Sequence, residues 1–136
     1  MTVIRLVLLD IEGTTLPVSF VHDVLFPYAA KALPDLLLTR RDDPKVQVAL
    51  GDIAREAPGC APLDVLGEWM ANDVKAAPLK TLQGMAWDTG FRSGVLHATL
   101  YPDVAPVLTA WHDAGLRLAV YSSGSAAAQR LLYGYP

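Results

Sequence analysis

Cysteine is almost missing from this chain, and so are dense positive charge and any long apolar run. Cys60 is the one thiol in 136 residues, so an intrachain disulfide is excluded, which fits a reducing compartment. A reactive thiol needs an adjacent base or a helix N-terminus. Cys60 has neither: it lies in the loop-like run Pro58-Gly59-Cys60-Ala61-Pro62 and reads as an inert thiol. Lys and Arg number 11 against 14 Asp and Glu, a net charge of −3. The pair Arg40-Arg41 is cancelled by Asp42-Asp43 behind it. A polyanion-binding surface needs a basic cluster, so no nucleic-acid partner is expected. The apolar stretch over residues 3–9 ends at Asp10 and Glu12. A membrane span takes about 20 residues and no small-residue cleavage site follows, so neither anchor nor signal peptide is read. The expected location is the cytoplasm, away from membranes.

What is present is core. Hydrophobic residues make up 52% and charged residues 18%, enough to bury an interior and to exclude global disorder. Residues 3–9 are β-branched and leucine-rich without alternation, the pattern of a strand buried on both faces in a parallel sheet. A second such run, residues 116–121, follows Gly115 and ends in Ser122-Ser123-Gly124-Ser125. Between them the chain reads helical. Residues 19–38 are apolar at helical spacing, with Pro27 and Pro34 as kinks or breaks. Asp43-Pro44 reads as an N-cap with proline at the first helical position. Val46, Leu50, Ile53 and Ala57 then share one face, and Leu63, Leu66, Met70 and Val74 repeat the spacing. A further helix is expected over 79–91, another over 102–114 with Gly115 as its cap, and the next from Ser125 onward. The fold class is therefore α/β, with a helical block far longer than an ordinary connecting loop inserted after the first strand. Residues 1–15 begin the core, 16–98 form a helical cap, and 99–136 return to the core. The competing reading is an all-helical domain with two chance apolar runs.

Both polar loops fall at the carboxyl ends of the expected strands, where open α/β sheets bind ligands. In Asp10-Ile11-Glu12-Gly13-Thr14-Thr15, alternate residues share a direction, so Asp10 and Glu12 can face one pocket. Two close anions repel unless a cation neutralises them. A hard cation such as Mg²⁺ does so with one or two carboxylates, waters and phosphate. One carboxylate can then attack phosphorus while the other serves as general acid and base. Gly13 permits the turn, and Thr14 offers hydroxyl and amide donors. The plainer alternative makes Asp10 a turn cap and Glu12 a solvated side chain. Ser122 and Ser123, opening a helix, suit an anion, or else an ordinary N-cap run. His22, His97 and His112 have no mutual metal-ligand spacing, and no Ser–His–Asp arrangement can be built.

At these residues the chain resembles the haloacid-dehalogenase superfamily of phosphatases, and within it the enolase-phosphatases of methionine salvage. The likeness rests on Asp10-Ile11-Glu12-Gly13-Thr14-Thr15, with Glu for the usual second Asp. It continues through residues 19–28, resumes at Tyr101-Pro102-Asp103-Val104 and Trp111, and returns at Tyr121-Ser122-Ser123-Gly124-Ser125 with residues 128–132 behind. The resemblance implies a Rossmann-like parallel sheet with an inserted helical cap. It implies a Mg²⁺-dependent enzyme that enolises and dephosphorylates 2,3-diketo-5-methylthiopentyl-1-phosphate to an aci-reductone. By that likeness Asp10 is nucleophile and metal ligand, and Glu12 is metal ligand and acid/base. Ser122, Ser123 and Thr14 hold the substrate or its phosphate. The partner is a small phosphorylated metabolite, and the full-length form is expected to be a monomer. The family also supplies a lysine and a later aspartate that fall beyond Pro136. Lys75 and Lys80 lie in the expected cap and do not replace the lysine. A chain of 136 residues is accordingly expected to lack the last strands of its sheet, to associate, and to turn over little substrate. Two other readings stay open: a phosphatase of the same superfamily with another substrate, and an inactive remnant that keeps only the start of the fold.

Overall fold

A computed structural model describes residues 3–135. The two apolar runs form strands that pair: β1 (Leu6–Leu9) lies parallel to β2 (Arg117–Val120). The register sets Leu6 beside Arg117 and Leu9 beside Val120. Flanking backbone bonds pin both ends, from the Arg117 amide to the Arg5 carbonyl at 2.9 Å and from the Tyr121 amide to the Leu9 carbonyl at 2.8 Å. This pairing rules out the all-helical reading. Burial on both faces, expected for the first strand, does not hold. Leu6 and Leu8 remain 54% and 62% exposed, while Val7 and Leu9 are half-buried. The uniform apolar run encodes two covered faces, and the described residues cover one.

By its contacts the chain divides into two units, Met1–Val24 with His97–Pro136, and Leu25–Leu96. In the first unit, α6 (Val104–Asp113) packs on β2 and leads into it through Gly115, whose φ of +86° suits the residue after a helix end. α7 (Ala126–Gly134) starts at Ser125, whose hydroxyl accepts from the Ala128 amide at 3.1 Å. α1 is the single turn Val18–Phe20.

The helical run does not break at either of its prolines. A π-helical turn, Val21–Leu25, joins α1 to α2 (Phe26–Thr39), and Pro34 lies inside α2. The Pro27 ring would collide with the carbonyl four residues back in a regular α-helix. Widening of the preceding turn relieves that contact.

The second unit packs α2, α3 (Pro44–Glu56), α4 (Pro62–Ala71) and α5 (Ala77–Arg92) around Leu33, Val46, Ile53, Leu66 and Leu82. Asp43 caps α3 by accepting from the Lys45 amide at 2.9 Å, with Pro44 opening the helix. The expected face of α3 is inward: Val46 and Ile53 are fully buried, and Leu50 and Ala57 pack beside them. The stripe over α4 is only half right. Leu66 and Met70 face the core, whereas Leu63 is exposed and α4 ends at Ala71, short of exposed Val74. Pro62 starts α4 and leaves Leu63 in its first turn, before the helix meets the core. The Trp87 indole of α5 donates to the Leu25 carbonyl at 2.9 Å and stacks on Phe26.

Candidate active site

β1 ends at Leu9, and the next residues turn sharply. Four groups converge on the Ile11 carbonyl: the amides of Thr14, Thr15 and Leu16 at 3.1, 3.0 and 3.3 Å, and the Thr15 hydroxyl at 3.4 Å. The Gly13 amide closes the turn on the Leu16 carbonyl at 2.8 Å, and Gly13 takes a φ of +74°, a region glycine enters without penalty. The turn therefore wraps the peptide between Asp10 and Glu12, buries Ile11, and leaves the two acids exposed. Asp10 Oδ1 accepts from the Ile11 amide at 2.8 Å, which fixes one carboxylate oxygen and leaves Oδ2 for other work.

β2 ends beside it. Ser122 Oγ accepts from the Gly124 amide at 3.3 Å, and the Gln129 side-chain amide donates to the Gly124 carbonyl at 2.9 Å. The serine loop is thus held to the first turns of α7.

An open cleft of about 590 Å³ lies between the loops, lined by Leu8, Leu9, Asp10, Glu12, Val18, Tyr121, Ser122 and Ser123. Small-molecule sites commonly have this size. Four of the five site residues expected from sequence meet there. Thr14 does not line the cleft, and its amide is used within the turn, so it has no amide to offer a ligand. Val18 and Tyr121 were not singled out from sequence. Tyr121 opens the serine motif and Val18 lies just past the acidic one, and position was the only signal either carried.

No residue lining the cleft is cationic, and two carboxylates would repel a phosphate there. The donor set is hard oxygen throughout: two carboxylates and serine hydroxyls. It fits Mg²⁺, which keeps several waters and takes only one or two carboxylates. Among the described residues there is no group of three or more His, Cys, Asp and Glu able to hold a metal by themselves. No helix among them is long and apolar enough to cross a membrane. His112 is on the exposed side of α6, and Cys60 is exposed.

Curated relatives cover nearly all of the chain. It is 66% identical over 129 residues to a protein of Gluconacetobacter diazotrophicus named Enolase-phosphatase E1, with 95% of this chain and 55% of that protein aligned. A protein of the same name from Gluconobacter oxydans is 64% identical over 132 residues, 97% of this chain and 58% of that one. Among solved structures, the UTR4 protein of Saccharomyces cerevisiae matches with a TM-score of 0.76 and 36% identity, over 96% of this chain and 56% of that one. No family model matches the chain. The chain spans little more than half the length of these relatives. The α/β fold with its inserted helices is that of the haloacid-dehalogenase class, as the sequence led one to expect. Over the residues it has, this chain belongs to the enolase-phosphatase family.

Proposed function

We propose that the chain carries the nucleophile half of a Mg²⁺-dependent enolase-phosphatase acting in the cytoplasm on 2,3-diketo-5-methylthiopentyl-1-phosphate. One observation carries the reading: Asp10, Glu12, Ser122 and Ser123 line a single cleft at the carboxyl ends of two paired parallel strands. Asp10 through its carboxylate and Glu12 through its backbone carbonyl would hold the metal, which when bound would neutralise the phosphate and let it approach a carboxylate. Enolisation first moves a proton from the carbon beside the carbonyl to the carbonyl oxygen, so that the C–H bond breaks as the enol O–H forms. Asp10 Oδ2 then attacks phosphorus, and the bond from phosphorus to the substrate oxygen breaks. Glu12 donates a proton to that departing oxygen. Water, deprotonated by Glu12, next attacks the aspartyl phosphate and frees inorganic phosphate and Asp10. Ser122 and Ser123 orient the phosphate through the loop held by α7.

The test reads the nucleophile directly. Beryllofluoride bonds to a carboxylate oxygen in the shape of a phosphoryl group and is followed by ¹⁹F NMR. A Mg²⁺-dependent adduct that disappears in Asp10→Asn and weakens in Glu12→Gln is expected. No adduct in the unsubstituted chain, or one that survives Asp10→Asn, overturns the reading. Displacement of the Mg²⁺-dependent beryllofluoride adduct by the methylthio diketone phosphate, but not by other phosphorylated ketones, separates this substrate from those of the wider superfamily.

A further inference from the structure

Thr15 is not a ligand in the reading above, yet it is 2% exposed and bonded on every side. Its amide and hydroxyl reach the Ile11 carbonyl, and its own carbonyl accepts from the Tyr101 amide at 2.9 Å. Its Oγ1 also lies 2.8 Å from the Tyr133 hydroxyl, 118 residues along the chain. Since Thr15 Oγ1 donates to Ile11, the Tyr133 hydroxyl is the donor to Thr15. A relay results, from Tyr133 through Thr15 to the carbonyl of the peptide that joins Ile11 to Glu12.

Tyr133 belongs to α7, the helix whose first residues hold the serine loop through Ser125 and Gln129. Near its other end it holds the acidic turn. Just past the helix, the Tyr135 carbonyl accepts from the Ala98 amide at 2.8 Å, which ties the end of α7 to residue 98 and not to the acidic turn itself. One rigid rod, about 12 Å from Ser125 to Tyr133 at 1.5 Å per residue, therefore connects the two halves of the cleft.

We propose that Tyr133 is a positioning residue: acting through Thr15, it sets the Ile11–Glu12 peptide and thereby where the Glu12 carboxylate and carbonyl stand relative to Asp10 and the serine loop. The metal-related part of this inference rests on the reading of Asp10 and Glu12 as the Mg²⁺ pair. Groups that orient ligands from behind weaken metal affinity by about 10- to 100-fold when lost. Tyr133→Phe keeps the ring and removes only the donor.

Two readouts test it. Amide NMR signals of Ile11, Glu12 and Gly13 without metal should move in Tyr133→Phe while the protein stays folded. Mg²⁺ affinity measured by calorimetry should fall about 10-fold. Thr15→Ser, which keeps the hydroxyl, should bind Mg²⁺ nearly as the unsubstituted chain does. The double variant Thr15→Val, Tyr133→Phe separates positioning from mere satisfaction of a buried hydroxyl. It leaves no unpaired polar group, so a satisfaction role predicts restored affinity, whereas positioning predicts that affinity stays low. Unmoved turn amides with unchanged Mg²⁺ affinity in Tyr133→Phe, or restored affinity in the double variant, overturns the proposal. Should Asp10→Asn leave Mg²⁺ binding intact, or the unsubstituted chain bind none, the reading of the metal pair falls. The amide signals then still decide whether Tyr133 sets the turn.

Discussion

Two glycines in one helix should respond to the same substitution with opposite sign. Gly84 and Gly90 both lie in α5, and alanine favours a helix over glycine by about 1 kcal/mol. At Gly84 nothing lies within 4 Å of an added Cβ, so Gly84→Ala should collect that gain. At Gly90 the added carbon would stand 2.7 Å from Leu96 Cδ1 and 2.8 Å from two ring carbons of Tyr28. Carbon atoms sit at their best about 3.5–4.0 Å apart, so all three contacts are deeply repulsive. Leu96 is buried and cannot swing into solvent. Overpacking of this kind costs about 1–3 kcal/mol, which outweighs the helix gain and leaves Gly90→Ala destabilised by about 1 kcal/mol. Thermal and urea unfolding, followed by far-UV circular dichroism, would measure both. For a unit of this size the fall for Gly90→Ala is roughly 4–8 °C, with a rise of similar size for Gly84→Ala. If Gly90→Ala proved as stable as the unsubstituted chain, the close approach of Tyr28 and Leu96 to α5 would be refuted.

The cap of α3 should titrate. The Lys45 amide and then Arg40 hold the Asp43 carboxyl below its ordinary value, so its contribution is complete above the unfolded pKa and is lost as pH falls through the lower folded one. Helicity in α3 should drop in that acid window, read from backbone NMR shifts, and Asp43→Ala should abolish the step at Asp43 without creating one elsewhere. The bare face of β1 should drive self-association, because Leu6 and Leu8 on the strand and Ile4 just before it are all more than half exposed. Sedimentation velocity should show concentration-dependent species that Ile4→Lys with Leu6→Lys reduces, and a strictly monomeric chain at high concentration would contradict this.

Much of the site was legible because its chemistry is local. Asp10 and Glu12 are two residues apart, and Ser122 and Ser123 are adjacent. In each case an apolar run stops at a short polar loop, which marks the end of a strand. The Asp43 cap and the inward face of α3 were legible for the same reason, since capping and helical periodicity are properties of neighbouring residues. The failures are non-local. Exposure of Leu6 and Leu8 depends on which segments lie over the sheet, whereas the apolar run records only that both faces are suited to being covered. The continuation of α2 through Pro34 depends on packing that outweighs one lost hydrogen bond. The Tyr133–Thr15 bond joins residues 118 apart, and no spacing rule connects them.

The strand register shows how local signals become a site. Leu9 pairs with Val120, so Asp10 follows on one strand and Tyr121 on the other, with the serines next. A shift of one residue would turn every side chain of β1 to the opposite face, carrying the acidic turn out of line with the serine loop. A two-stranded parallel ladder with one exposed face resists such a slip only weakly. The bonds at its ends hold it: Arg117 to Arg5, Tyr121 to Leu9, and beyond the ladder Tyr133 to Thr15. The first two set the register of the strands, and the third sets the turn that β1 runs into. Residues that carry no chemistry therefore decide whether the carboxylates and hydroxyls share a cleft, which is why the hydroxyl of Tyr133 should matter to metal binding as well as to stability.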